Sequence, residues 1–142
     1  MREKTFCMIK PDGLARDLEK EIIARIERGG LTLEASRTIV ITPAEAAELY
    51  QPHAGKKFYP GLVKFITSGP VTVCRIAGAG AITRLRELMG ATDPLAAAKG
   101  TIRGDLKEAN VINEYGVIKN LIHGSDSPES AVRELAIFFN GD

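Results

Sequence analysis

A chain of 142 residues, 44% hydrophobic and 26% charged, has the length and composition of one domain with a proper core. A formal net charge of +1 excludes a surface coated with basic charge for nucleic acid, and the ordinary apolar content excludes disorder and a membrane span. Any anion site must therefore be local. The two cysteines, Cys7 and Cys74, lie in apolar runs with no metal-ligand spacing, which predicts buried free thiols. Met1-Arg2-Glu3-Lys4 passes straight into a strand-like run without a signal peptide, so a cytoplasmic, reducing setting is expected.

In chain order, residues 5–10 predict a buried strand stopped by Pro11-Asp12-Gly13. Leu14, Leu18, Ile22, Ile23 and Ile26 recur at helical spacing, and Gly29-Gly30 closes that helix. Residues 33–41 predict a second strand, β-branched towards its end. Thr42-Pro43-Ala44-Glu45 is a capping box with proline at the first helical position, so a helix should run towards Tyr50. A further helix is expected over 61–67 and a third strand over 71–76; Ile82, Leu85 and Met89 then line a helix closed by Gly90. Leu121-Ile122 suggests a short last strand. After it Ser127 caps and Pro128 begins a final helix with Ala131, Leu135 and Phe138 on its inner face. The order is close to βαββαβ with extra helices. It predicts an α/β (α+β) sandwich, a four-stranded antiparallel sheet covered by helices rather than a doubly wound sheet.

Residues 91–120 lack sustained periodicity, and a long irregular stretch in a compact domain is usually functional or mobile. Within it Arg103 lies between Gly100 and Gly104, where backbone approaches a ligand without steric cost. An exposed loop arginine is the ordinary alternative. The usual phosphate devices are missing: the sequence has no G-x-x-x-x-G-K-[ST], and Gly78-Ala79-Gly80 lacks the third glycine of a dinucleotide fingerprint. A phosphate site would have to be built from side chains, with Lys10 at the end of the first strand, Arg86 and Arg103 as candidates. His123 stands before a Ser/Asp-rich helix start, where anions bind readily; a surface histidine beside a capping motif is the plainer account.

Five segments, in order, carry a resemblance that spans nearly the whole chain. They are Ile9-Lys10-Pro11-Asp12-Gly13, Phe58-Tyr59-Pro60-Gly61-Leu62-Val63, Ser68-Gly69-Pro70-Val71, Gly100-Thr101-Ile102-Arg103-Gly104-Asp105 and Asn120-Leu121-Ile122-His123-Gly124-Ser125-Asp126-Ser127. In them the chain resembles the nucleoside diphosphate kinases. That resemblance implies a ferredoxin-like fold and ping-pong transfer of the γ-phosphate of ATP, or another nucleoside triphosphate, to nucleoside diphosphates. It implies Mg2+ on the nucleotide phosphates and a phosphohistidine intermediate at His123. Glu134 would orient the ring from its other nitrogen. Lys10 and Tyr50 would approach the transferring phosphate, with Ser125 close to the histidine. Arg86, Thr92 and Arg103 would hold the phosphates. Asn120 would contact the sugar, with Lys10 reaching the same hydroxyl region, while Phe58 stacks on the base and Leu62 lines the same cleft. Asp126 is either a Mg2+ ligand through water or a cap of the helix start.

Two departures stand out. The interval 106–119 is longer than in the family, an apparent loop insertion that removes no matched residue from a single domain spanning 1–142. The chain also ends soon after Phe138-Phe139, without the longer tail of many relatives, so the expected assembly of dimers is a tetramer or a hexamer. A nucleotide-binding regulatory domain without turnover is the alternative function. The complete set of His123, Glu134, Lys10, Arg86 and Arg103 favours the enzyme.

Overall fold

The computed structural model describes residues 2–139. Four antiparallel strands form one sheet in the order β2-β3-β1-β4, with β1 Arg2–Ile9, β2 Thr32–Ile39, β3 Val71–Ala79 and β4 Ile122–Gly124. The α+β class and the antiparallel sheet are as the element order predicts. In β1, side chains alternate between faces, which divides the core in two. Cys7 and Ile9 pack with Ile22, Ile26, Cys74, Ile76, Leu85 and Met89 under α2 (Glu19–Arg28) and α5 (Ala81–Met89). Phe6 and Met8 pack on the opposite face with Leu49, Ile66, Val73 and Phe138, under α3 (Pro43–Leu49), α4 (Tyr59–Ile66) and α7 (Pro128–Phe138). Burying each such side chain contributes roughly 1.5–3 kcal/mol, so β1 is the spine of the molecule. Cys7 and Cys74 are buried free thiols facing each other across β1 and β3.

Local sequence explains the element ends. Thr42 and Glu45 form the reciprocal capping box of α3, with both hydrogen bonds made at 3.1 and 2.9 Å. Ser127 accepts from the Ser130 N–H at the start of α7. Gly124 lets β4 lie against α5, because a Cβ there would stand 2.7 Å from Met89 Sδ.

Several expectations need correction. The single helix predicted through Leu14 and Ile26 is two, α1 (Pro11–Ala15) and α2, broken at Asp17 with φ +58°. Leu14, Leu18 and Ile22 still reach one core, so the helical spacing survives the break. The second strand stops at Ile39, and β1 and β3 run longer than predicted. The stretch 91–120 is not wholly irregular. Thr101 accepts from the Gly104 N–H and caps a short helix, α6 (Ile102–Leu106), so Arg103 is a buried helical residue rather than a loop arginine. Leu121, expected in the last strand, lies just outside it. Within 106–119, residues 111–119 form a small hairpin, with an antiparallel bridge between Ile112 and Ile118 and a turn at Gly116.

Candidate functional site

The site is built around one unusual turn. The Ile122 N–H donates to the Asn120 carbonyl at 2.8 Å while Leu121 holds φ +71°, the signature of a γ-turn of the rare, strained kind. A buried leucine keeps that conformation only if its surroundings over-determine it, and here they do. The Leu121 N–H donates to Asp12 Oδ2 at 3.0 Å, and its carbonyl accepts from the Lys10 N–H at 2.8 Å. Arg103 closes the clamp: Nε donates to the Asn120 carbonyl (3.1 Å), Nη2 to that of Ile122 (2.6 Å) and Nη1 to that of Gly90 (3.1 Å). The turn thus delivers His123, on the edge strand β4, in a fixed direction.

Burial makes these charges unusual. Lys10 donates Nζ to Asn120 Oδ1 at 2.8 Å, and burial, with Arg103 nearby, pushes its ammonium down to about 8. Burial, then the Arg86 charge, brings Arg103 down to about 10. Burial raises the Asp12 carboxyl, although Lys10 pulls the other way. The Tyr50 phenol is raised by burial and by the Glu134 charge, and its hydroxyl has no hydrogen-bond partner among the described residues. Of these groups Lys10, Tyr50 and Arg103 line the cleft, and of the three the Tyr50 hydroxyl is the one that still lacks a partner among the described residues.

His123 is paired on one side only. Its Nε2 meets Glu134 Oε1 at 2.8 Å, and the Ser125 hydroxyl donates to the same oxygen at 2.7 Å. Glu134 is buried on the inner face of α7, so the carboxylate fixes Nε2 as the proton-bearing nitrogen and leaves Nδ1 as the open lone pair. Phe6 and the edge-on Tyr50 ring, with centroids 5.8 and 6.3 Å away, wall the imidazole in.

A cleft of about 620 Å3 opens on this group. Lys10, Tyr50, Arg86, Arg103, His123 and Glu134 line it. Thr92, Asn120 and Asp126 line it as well, and Asn120 also donates Nδ2 to the Thr92 carbonyl at 3.0 Å. Phe58 and Leu62, at the start of α4, contribute to the apolar part; Phe58 is 45% exposed, with Lys56 Nζ 5.9 Å from its ring centroid. Of the residues predicted from sequence only Ser125 is absent from the cleft wall; it lies beneath, acting on Glu134. Asp126 is exposed at the mouth, its carboxylate held below the usual range by the Ser130 hydroxyl.

Four contributions were not foreseen. Asp12, read as a turn residue, anchors the γ-turn. Val117 and Gly116 bring the hairpin into the cleft wall, docked so closely on α4 that a Cβ on Gly61 would lie 2.6 Å from the Tyr115 carbonyl oxygen. His53 lines the cleft from the 3-10 turn Gln51–His53, its ring tilted against Phe58. Arg133 lines it from α7. Its position directly before Glu134 was the one sequence signal available. Among the described residues, no group of three or more His, Cys, Asp or Glu side chains is placed to hold a metal ion by protein alone, and no helix is long and apolar enough to cross a membrane.

Comparison with known proteins places this geometry in a family. The model of the family described as "Nucleoside diphosphate kinase" matches residues 3–142. The nucleoside diphosphate kinase of Methanosarcina barkeri is 50% identical over 137 residues, 96% of this chain and 87% of that protein. That of Mycobacterium tuberculosis is 48% identical over 142 residues, covering 99% of each chain. Among solved structures, a transition-state mimic of the Borrelia burgdorferi nucleoside diphosphate kinase with bound vanadate and ADP superposes with TM-score 0.91 at 34% identity, covering 99% of this chain and 88% of that one. A halophilic nucleoside diphosphate kinase from Halobacterium salinarum in complex with CDP gives 0.89 at 45% identity, covering 100% of this chain and 90% of that one.

Proposed function

The chain belongs to the nucleoside diphosphate kinase family of phosphotransferases, and from that premise we propose that it moves the γ-phosphate of ATP, or of another nucleoside triphosphate, to nucleoside diphosphates through phosphorylated His123. The observation that carries this reading is the half-paired imidazole: Glu134 occupies Nε2, and the ring lines a cleft that Lys10, Arg86 and Arg103 also line. The Nδ1 lone pair attacks the γ-phosphorus, an N–P bond forms, and the bond to the β,γ-bridging oxygen breaks, so ADP leaves with that electron pair. The ring gains positive character as it is phosphorylated, and the Glu134 carboxylate stabilises it through the Nε2–H. A β-phosphate oxygen of the incoming diphosphate then attacks the same phosphorus, and the N–P electrons return to Nδ1.

The remaining residues bind and orient. Lys10, Arg86 and Arg103 offset the charge of the phosphates, Thr92 adds a hydroxyl, and the buried Tyr50 hydroxyl finds in the phosphate the partner it lacks. Asn120, already bridging Lys10 and Thr92, faces the sugar. Phe58 stacks on the base with Leu62 and Val117 lining the same cleft, which accepts purines and pyrimidines without hydrogen bonds to their edges. Among the described residues, Asp126 is an exposed carboxylate of the cleft wall, hydrogen-bonded by the Ser130 hydroxyl, and it fits a Mg2+ ion brought by the nucleotide phosphates. Asp126 would hold such an ion through water, and the ion would offset phosphate charge. ADP with vanadate in the Borrelia burgdorferi relative and CDP in the Halobacterium salinarum relative support the same use of this cleft. The exposed edge strand β2 suits pairing into dimers, the units of a tetramer or hexamer that light scattering distinguishes.

The test is direct labelling. Incubated with γ-labelled ATP and Mg2+, the protein acquires an acid-labile label that chases into GTP when GDP is added, and His123→Ala acquires none. Label persisting in that variant overturns the reading; label that forms but never chases marks the regulatory alternative.

A further inference from the structure

Arg133 sits on α7 directly before Glu134, where successive side chains normally diverge. Its guanidinium nevertheless turns back. Nη2 donates to Glu134 Oε2 at 3.3 Å, while Nη1 donates to the carbonyls of Glu48 at 2.6 Å and Leu49 at 3.4 Å, the last turn of α3. Those carbonyls belong to the last turn, the negative end of the helix, a favourable seat for a cation. Arg133 is thereby a strut between two helices rather than a solvated side chain.

The other carboxylate oxygen explains why the strut matters. Glu134 Oε1 takes both the His123 Nε2 and the Ser125 hydroxyl, so its direction decides where the imidazole points. A carboxylate held at one oxygen still turns about the bond that carries it. Held at Oε2 as well, it is fixed in plane. We propose that Arg133 is a positioning residue for phosphoryl transfer: by tying Glu134 Oε2 to the end of α3 it fixes the carboxylate plane and so the direction of His123 Nδ1. This rests on the phosphohistidine reading above. The role is distinct from phosphate binding in that it acts on the nucleotide only through Glu134 and His123.

The experiment is a double-mutant cycle read by rapid-quench labelling of His123 from γ-labelled ATP, with R133M, E134A and the pair. The His123→Ala control comes first, since label in that variant breaks the phosphohistidine reading whatever Arg133 does. With that control blank, R133M should label roughly five- to twentyfold more slowly at saturating ATP, with the half-saturating ATP concentration unchanged. In the E134A background the same substitution should cost less than about twofold, because its target is gone. R133K, which keeps the charge but loses the fork, should recover part of the rate and gives the same cycle if R133M does not fold. An equal loss with and without Glu134, or a loss seen as a higher half-saturating ATP concentration, overturns the proposal in favour of a purely structural strut or a phosphate contact.

Discussion

Residues 120–122 and the hairpin 111–119 are consecutive in the chain and are held in opposite ways. The turn at 120–122 is tied to other elements: to the end of β1 through the Lys10 N–H, to α1 through Asp12, and to α6 through Arg103. The hairpin is tied to itself. Asn113 Oδ1 accepts from the Tyr115 and Val117 N–H groups, the Asn113 N–H donates to Val117, and the Lys119 N–H donates to Val111. The Lys119–Glu108 ion pair also stays within this part of the chain. A segment closed on itself changes length without disturbing its neighbours, whereas a turn shared by three elements does not. A turn held in this way keeps His123 against Glu134 whatever the length of the interval before it.

The largest test of that contrast removes the clamp. Arg103→Met deprives three backbone carbonyls of a charged donor in a buried place, and each such loss costs roughly 1–3 kcal/mol. We expect a destabilisation of about 3 kcal/mol or more, read as a lower urea midpoint, together with loss of His123 labelling. Unchanged stability would mean that the γ-turn holds without Arg103. Next comes its other anchor. Asp12→Ala strands the Leu121 N–H and should cost about 1–3 kcal/mol, while Asp12→Asn keeps an acceptor for that N–H and most of the stability.

The contrast also marks what sequence can and cannot tell. The order of strands and helices follows from apolar spacing and capping residues, and the block around His123 carries its own chemistry. The γ-turn had no such signal, because a leucine at positive φ is chosen by its surroundings and not by its own preference. Arg103 was legible as a charged group but not as a clamp, since its partners are carbonyls, which every residue has. Asp17 left no trace in the apolar spacing, because Leu14, Leu18 and Ile22 reach the same core on either side of the break. The hairpin's short turn is likewise too brief to show a period.

A smaller effect follows from charge inside the tied region. Lys10 is charged below its folded value of about 8 and neutral above it, so its attraction for phosphate is present at lower pH and lost as pH rises through that value. kcat/KM, which reports the free enzyme, should therefore fall up to about tenfold per pH unit above that point. Asp12 raises the Lys10 value, so Asp12→Asn should move the fall to lower pH. A profile flat across that region, or a shift to higher pH in Asp12→Asn, would contradict the assignment.

The smallest effect belongs to the hairpin. A methyl group on Gly61 would meet the Tyr115 carbonyl oxygen at 2.6 Å and Val117 Cγ1 at 3.1 Å, contacts too short to keep. In a core tied on all sides such overpacking costs about 1–3 kcal/mol. Here the neighbour is a unit whose hydrogen bonds are internal, so it shifts whole and keeps them. Gly61→Ala should then cost less than about 1 kcal/mol by urea unfolding, because only the burial of Val111 and Val117 is disturbed. The cleft feels the shift more than the fold does, since Val117 lines the apolar part with Phe58 and Leu62. KM for the nucleotide should rise several-fold, and the rate of His123 labelling at saturating ATP should stay near that of the parent, because the γ-turn and its clamp have not moved. Glu114→Ala, at the exposed tip, should change neither quantity. If Gly61→Ala instead slows labelling at saturation, the hairpin and the turn are mechanically joined and the contrast between them fails.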